Sequence, residues 1–132
     1  MTRLLTTIAL TALLISTGCN KPRPYNTGRG DPFIPPQWAV SQKELANEVL
    51  LGTPILSRDD AGILFVNAPL RSDIDKTIYV DYRATFLDRN GQVVYETNWS
   101  RKTLQANVPD QLSFNSLDAR AADVRIAIRY AK

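Results

Sequence analysis

Ile78-Tyr79-Val80-Asp81-Tyr82-Arg83-Ala84-Thr85-Phe86 is the stretch that decides how the chain folds. In an extended chain Ile78, Val80, Tyr82, Ala84 and Phe86 fall on one side. Tyr79, Asp81, Arg83 and Thr85 fall on the other. Successive side chains of a strand alternate between faces, so the run predicts a strand with one face buried. Asp88-Arg89-Asn90-Gly91 follows at once. Asn-Gly accepts positive φ at both turn positions, which predicts a hairpin. Gln92 to Arg101 then reads as the returning strand, with Val93, Tyr95, Thr97 and Trp99 on one face. That alternation makes Trp99, like Tyr82, a core anchor rather than a ligand platform.

Working outward, Val124, Ile126, Ile128 and Tyr130 alternate with Arg125, Ala127 and Arg129, a second clear strand. Gly62 to Leu70 is apolar and β-branched, and Pro69 should mark its end or a sheet edge, since proline cannot donate to a ladder. Gln111 to Ser116 places Leu112 and Phe114 on one side. Leu51 to Ser57, interrupted by Pro54, is a weaker strand. Ser41 to Leu50 is the helical candidate. Ser41 is placed to cap it, Glu44 stands three residues on, and Leu45, Val49 and Leu50 form an apolar stripe. Ala119 to Ala122 reads as one helical turn. Five or six strands joined by turns predict a small, mostly all-β domain, an antiparallel β-sandwich with one short helix.

The beginning of the chain has a different character. Arg3 precedes an apolar stretch, Leu4 to Ile15, and Ser16-Thr17-Gly18 leads to Cys19, the single cysteine. A dozen apolar residues interrupted by threonines fall short of the ~20 that cross a bilayer as a helix. They fit the apolar core of a secretory signal. The small residues before Cys19 resemble the lipobox of bacterial lipoproteins, although Ser16 stands where leucine is preferred. That resemblance implies cleavage after residue 18 and acylation of Cys19 by diacylglyceryl and an amide-linked chain such as palmitate. Two or more chains hold a protein on a membrane stably. By analogy with lipoprotein sorting, Asn20, not being aspartate, points to the outer membrane.

Residues 19–37 read as a tether. Pro22, Pro24, Pro32, Pro35 and Pro36 with Gly28 and Gly30 exclude helix and central strand. Phe33, Ile34 and Trp38 at its end are too apolar for a plain linker. Either they dock on the domain or they form a contact for a partner. The domain proper is then residues 38–132.

The chain of 132 residues carries a net charge of +3, which falls to +2 without Arg3. Those two units belong to Lys21, Arg23, Arg29 and Asp31, next to Cys19, and the domain is near neutral. Nucleic-acid binding needs a concentrated basic face and is not expected. Histidine is absent and the one cysteine is assigned to acylation, so neither the commonest general base nor a thiolate remains. Asp59-Asp60 and Asp73-x-Asp75 lack the further carboxylates of a calcium loop and read as turn residues. No metal or cofactor is expected. Asn98-Trp99-Ser100 matches a glycosylation sequon by accident. Arg125, Arg129 and Lys132 form a basic row on the outward side of the last strand, with Asp81 and Asp123 to offset it. The row is either a solvated face or a surface for an acidic partner or a glycan.

The order of these features carries a resemblance. A strand ending Tyr82-Arg83-Ala84-Thr85-Phe86 is followed by Leu87-Asp88-Arg89-Asn90-Gly91 and a strand reaching Trp99. A polar link and Val124-Arg125-Ile126-Ala127-Ile128-Arg129 close the course. Over about residues 50–130 this resembles the YcfL-like bacterial lipoproteins. Phe86 departs from them, since the family often has tryptophan there. The resemblance implies an Ig-like β-sandwich on a lipid anchor and no defined activity. The expectation is a non-enzymatic outer-membrane lipoprotein whose domain faces the periplasm as a binding or accessory module of an envelope assembly. An exclusion or secretion-accessory lipoprotein of the phage or plasmid type is the alternative. The partner surfaces to look for are Arg125, Arg129 and Lys132, and Phe33 with Trp38.

Overall fold

The computed structural model describes residues 34–132. The signal-like segment, Cys19 and Phe33 lie outside the described residues. Within them the chain forms β1 (Trp38–Val40), α1 (Lys43–Glu48), β2 (Val49–Leu51), β3 (Ile55–Arg58) and β4 (Leu64–Ser72). The remaining strands are β5 (Ile78–Leu87), β6 (Val93–Glu96), β7 (Ser100–Leu104), β8 (Pro109–Asn115) and β9 (Asp123–Tyr130). They make two sheets. In the first, β5 is flanked by β9 on one side and by β7 and β6 in succession on the other, with β1 added beside β9. In the second, β4 pairs with β8 on one side and with β2 and β3 in succession on the other. All strand pairs are antiparallel except β1 with β9. The result is the small β-sandwich that the alternation predicts.

The periodicity of β5 and β9 sets the core. Ile78, Val80, Ala84 and Phe86 of β5 and Val124, Ile126 and Ile128 of β9 are buried. They face Leu64, Val66, Ala68 and Leu70 of β4 and Leu112 of β8, all in one cluster. Leu45 is the buried residue of α1. Tyr130 donates to Glu48 Oε2 at 2.7 Å and so ties β9 to α1. Burial, then the Glu48 carboxylate, push this phenol up to about 12.

Four local expectations are corrected. The helix is six residues long and its N-cap is Gln42, not Ser41. Gln42 makes no side-chain cap; its Oε1 accepts from the Tyr130 N–H instead. Val49 and Leu50 leave the helix to pair with β4. In the hairpin, Gly91 takes positive φ and Asn90 does not. Gly91 N–H donates to Asp88 O, and Asp88 N–H to Gln92 O, which closes a three-residue loop. Asp88 Oδ1 accepts the N–H groups of Asn90 and Gln92, so a side-chain cap fixes this turn in place of the mirror-image pair. Residues 119–122 form a turn and no helix.

Pro69 is the fourth correction, because it lies inside the central strand β4. A strand residue directs its N–H and C=O to the same side, and the Pro69 carbonyl accepts from Gly52 at 2.8 Å. The missing N–H therefore faces the gap between β2 and β3, where no ladder bond is lost. A Cβ on Gly52 would stand 2.6 Å from Pro69 Cγ, so only glycine permits this approach. Gly52 O also accepts the indole N–H of Trp38 at 2.8 Å. One side-chain-free residue thus links the first sheet's edge strand to the centre of the second.

Gly52→Ala is expected to destabilise by about 1–3 kcal/mol through this clash, and Ile126→Ala by about 2–5 kcal/mol through the cavity it leaves. Arg125→Ala on the same strand should stay within about 0.5 kcal/mol. Denaturant melts of the three variants check the order. Equal losses for Ile126 and Arg125 would contradict the register of β9.

Candidate functional site

The outer face of the five-stranded sheet is built by the residues that alternate with the core. β5 contributes Tyr79, Asp81, Arg83 and Thr85, and β9 contributes Arg125 and Arg129. The register places Asp81 opposite Arg129 and also opposite Arg101 of β7. Asp81 Oδ1 accepts from Arg101 Nε at 3.1 Å, and Oδ2 lies 3.9 Å from Arg129 Nε. The Lys132 N–H donates to Oδ2 at 3.2 Å, and Arg101 Nη2 donates to Lys132 O at 2.6 Å. The hydrogen bond from Arg101 holds the Asp81 carboxyl below the usual aspartate range. Burial opposes it; the Lys132 N–H and the charges of Arg101 and Arg129 add to it.

Trp99 lies on this face, which corrects its assignment to the core. The reason is a change of parity along the edge. In β6 the odd-numbered Tyr95 stands opposite buried Phe86, while in β7 the even-numbered Leu104 stands opposite buried Ile78. Between them the ladder is interrupted. Thr97 Oγ1 accepts the Ala84 N–H at 2.9 Å, and the Thr97 N–H donates to Ala84 O. The side chain substitutes for a backbone partner, the pairing shifts, and Trp99 turns outward. Val93, expected on the same buried face, is 62% exposed.

The Trp99 ring faces two cations. The Arg129 guanidinium carbon is 3.8 Å from the ring centroid and that of Arg83 is 4.9 Å away. The Nε atoms of both arginines are shielded from solvent without a hydrogen-bond partner among the described residues. Arg83 Nη1 pairs with Glu96 at 2.9 Å, and Thr85 donates to the same carboxylate. The face is therefore a preorganised patch of stacked guanidiniums and an indole, suited to binding anionic or planar groups rather than to proton transfer. Arg–aromatic stacking is worth about 0.5–2 kcal/mol depending on desolvation.

The sequence-derived contact residues separate. Arg125 is exposed and makes no ion pair among the described residues. Arg129 is largely covered, engaged by Trp99 and Asp81. Lys132 has an exposed side chain, with its backbone tied to Asp81 and Arg101. Trp38 is withdrawn as a partner contact. It is 6% exposed, packs in the core and spends its indole N–H on Gly52. Ile34 packs against the same core, so the described end of the expected tether docks on the domain. Sequence reasoning missed Arg83, Arg101 and Trp99 as members of one patch. Arg83 was legible from alternation; Trp99 and Arg101 were not, because the parity change precedes them.

Trp99→Ala should cost about 1–2 kcal/mol, well below the about 3–5 kcal/mol of a core tryptophan; chemical denaturation distinguishes the two. Asp81→Asn should destabilise at neutral pH. A carboxyl depressed in the folded state stabilises above its unfolded pKa of about 4. That contribution disappears as pH falls through the lower folded value. The gap between parent and Asp81→Asn should thus be full at pH 6 and close in acid. A gap that persists below the folded pKa would contradict the ion-pair account.

Similar proteins bear on the whole domain. A crystal structure of cj0090 from Campylobacter jejuni superposes with a TM-score of 0.56 at 24% identity, covering 62% of this chain and 86% of that one. A crystal structure of a DUF1425 family member from Shewanella sp. pv-4 superposes with a TM-score of 0.58 at 23% identity, covering 64% and 79%. At these identities the likeness shows the fold alone. No curated protein matches the chain significantly. The sequence profile of DUF1425, described as a protein of unknown function, matches residues 37–130, from the turn before β1 to the end of β9. The chain belongs to the DUF1425 family.

Proposed function

We propose that this chain is a YcfL-like lipoprotein, anchored through acylated Cys19 in the outer membrane. Its sandwich faces the periplasm and serves, without enzymatic activity of its own, as a binding module for an envelope protein. The outer face of the five-stranded sheet is the contact surface, and the partner segment is acidic. The observation that carries this reading is the stacked patch of Trp99 with Arg83 and Arg129. Arginine and tryptophan are the side chains that most often dominate protein contacts. Here they are held in place before any partner arrives, which lowers the ordering cost of association. Arg125 stands at the margin of the patch with its charge uncommitted among the described residues. The address rests on Arg3, the apolar run Leu4 to Ile15 and Ser16-Thr17-Gly18-Cys19.

Two variants test the parts separately. Cys19→Ala should abolish acyl labelling and leave an uncleaved precursor; normal processing and membrane partition would overturn the anchor. Arg125→Glu should weaken recovery of the partner from native membranes with the melting temperature unchanged. Arg129 is unsuited to this purpose, because its reversal would also break the Asp81 and Trp99 contacts. If Arg125→Glu and Trp99→Ala both leave partner recovery intact, the face is not the contact. Turnover of a cell-wall or lipid substrate by the purified protein would overturn the non-enzymatic reading.

A further inference from the structure

We propose that the end of the sandwich opposite the α1 side binds a compact oxyanion of the phosphate class. Three turns meet there: Asp59–Gly62 between β3 and β4, Asp88–Gly91 between β5 and β6, and Leu117–Arg120 between β8 and β9. They border an open pocket of about 500 Å³ whose lining includes Arg58, Arg89 and Arg120. Ligand cavities fall between about 300 and 1,000 Å³. A phosphate with a small organic group fits this volume.

Arg58 is preorganised without being neutralised. Its Nη1 donates to Gly62 O at 2.9 Å and its Nη2 to Ala121 O. Both acceptors are carbonyls, and no carboxylate lies within 4.0 Å of Arg58 among the described residues. A guanidinium has five N–H donors, so about three remain for a ligand. Arg89 makes no ion pair among the described residues. Arg120 is held by Asp118 at 2.6 Å. Planar guanidinium forks match tetrahedral oxyanions with paired hydrogen bonds.

The acidic groups nearby are committed to their own turns. Asp88 lines the cavity, but its Oδ1 accepts two backbone N–H groups. Asp59 Oδ1 accepts the Ile63 N–H. Counting Asp88 and Asp118 against the three arginines still leaves the cavity positive.

The position of this end adds a source for the ligand. β1 runs parallel to β9, and Gln37 O accepts the Ile126 N–H at 2.7 Å. The chain therefore enters β1 from the side of the sheet on which β9 begins, the side that also carries the turns of the cavity. In a chain anchored at Cys19 that end is within reach of lipid headgroups, and this part rests on the anchor proposed above. A soluble phosphate ester offers the same chemistry. The oxyanion site itself does not depend on the anchor.

The test uses the full chain and two probes, glycerol 3-phosphate and vesicles of phosphatidylglycerol with phosphatidylcholine. Arg89→Gln is the main variant, since its side chain makes no ion pair or hydrogen bond among the described residues. Arg58→Gln is the second, with Arg58→Lys as its charge-conserving control. Glycerol 3-phosphate should raise the parent's melting temperature, and Arg89→Gln should weaken its binding about tenfold with the ligand-free melting temperature unchanged. Arginine-dependent binding to glycerol 3-phosphate alone identifies a soluble ester. Arginine-dependent binding to phosphatidylglycerol vesicles, absent with phosphatidylcholine alone, identifies a headgroup. If neither probe binds, or if all three variants bind as the parent does, the proposal is overturned. Arginine-dependent binding in a chain that takes no acyl label would overturn the anchor and leave the oxyanion site standing.

Discussion

The alternation of side chains along β5 is the constraint on which the rest of the structure depends. Ten residues from Ile78 to Leu87 pair with β9 along one side and with β7 and β6 along the other. A slip of one residue would send every side chain to the opposite face. Val80, Ala84 and Phe86 would leave the core, and Asp81 and Arg83 would enter it without water. The cost of burying those charges holds the register as firmly as the gain from burying the apolar groups. Because β9 shares that register over eight residues, the same parity places Ile126 and Ile128 inside and Arg125 and Arg129 outside.

The patch on the outer face arises from one interruption of this regularity. Thr97 supplies side-chain and backbone partners to Ala84, so β5 loses no hydrogen bond where its neighbour changes from β6 to β7. The neighbour resumes with its faces exchanged. That exchange carries Trp99 from the core side onto two arginines and brings Arg101 against Asp81. A bulky indole over guanidiniums shields their Nε atoms from water, and the stacking offsets part of that desolvation. The patch is thus supported by β5, β7 and β9 together, a rigid base for recognition.

The two surfaces of interest sit on different parts of the sandwich. The Trp99 patch stands on paired strands and depends on sheet register. The arginine-lined cavity stands on turns, each closed by its own carboxylate cap or glycine. Substitutions in one need not disturb the other. A domain built this way carries two separate surfaces, one set by sheet register and one by turns.

Much of the fold was legible in the sequence because its signals are local. The alternation of Ile78 to Phe86 and of Val124 to Tyr130 follows from the period of an extended chain, and both strands stand where that period puts them. The DUF1425 match runs over the same course of residues. Less local features were not. Asn90-Gly91 favours a mirror-image turn, but Asp88 can bond to the backbone on either side of it and selects a longer loop. Pro69 reads as a strand end, and only the gap between β2 and β3 shows why the central strand tolerates it. Ser41 has a capping side chain, yet the chain pairs with β9 through that region and the helix begins later. The sequence by itself determined β5, β8 and β9 with the buried face of each, and it carries the signal-like beginning with Cys19, because these features depend on neighbours along the chain. Tertiary structure alone decided that Trp38 is core and Trp99 is surface, and that Arg58, Arg89 and Arg120 share a cavity. Those facts depend on which segments are brought side by side, and the spacing of residues along one strand does not contain that information.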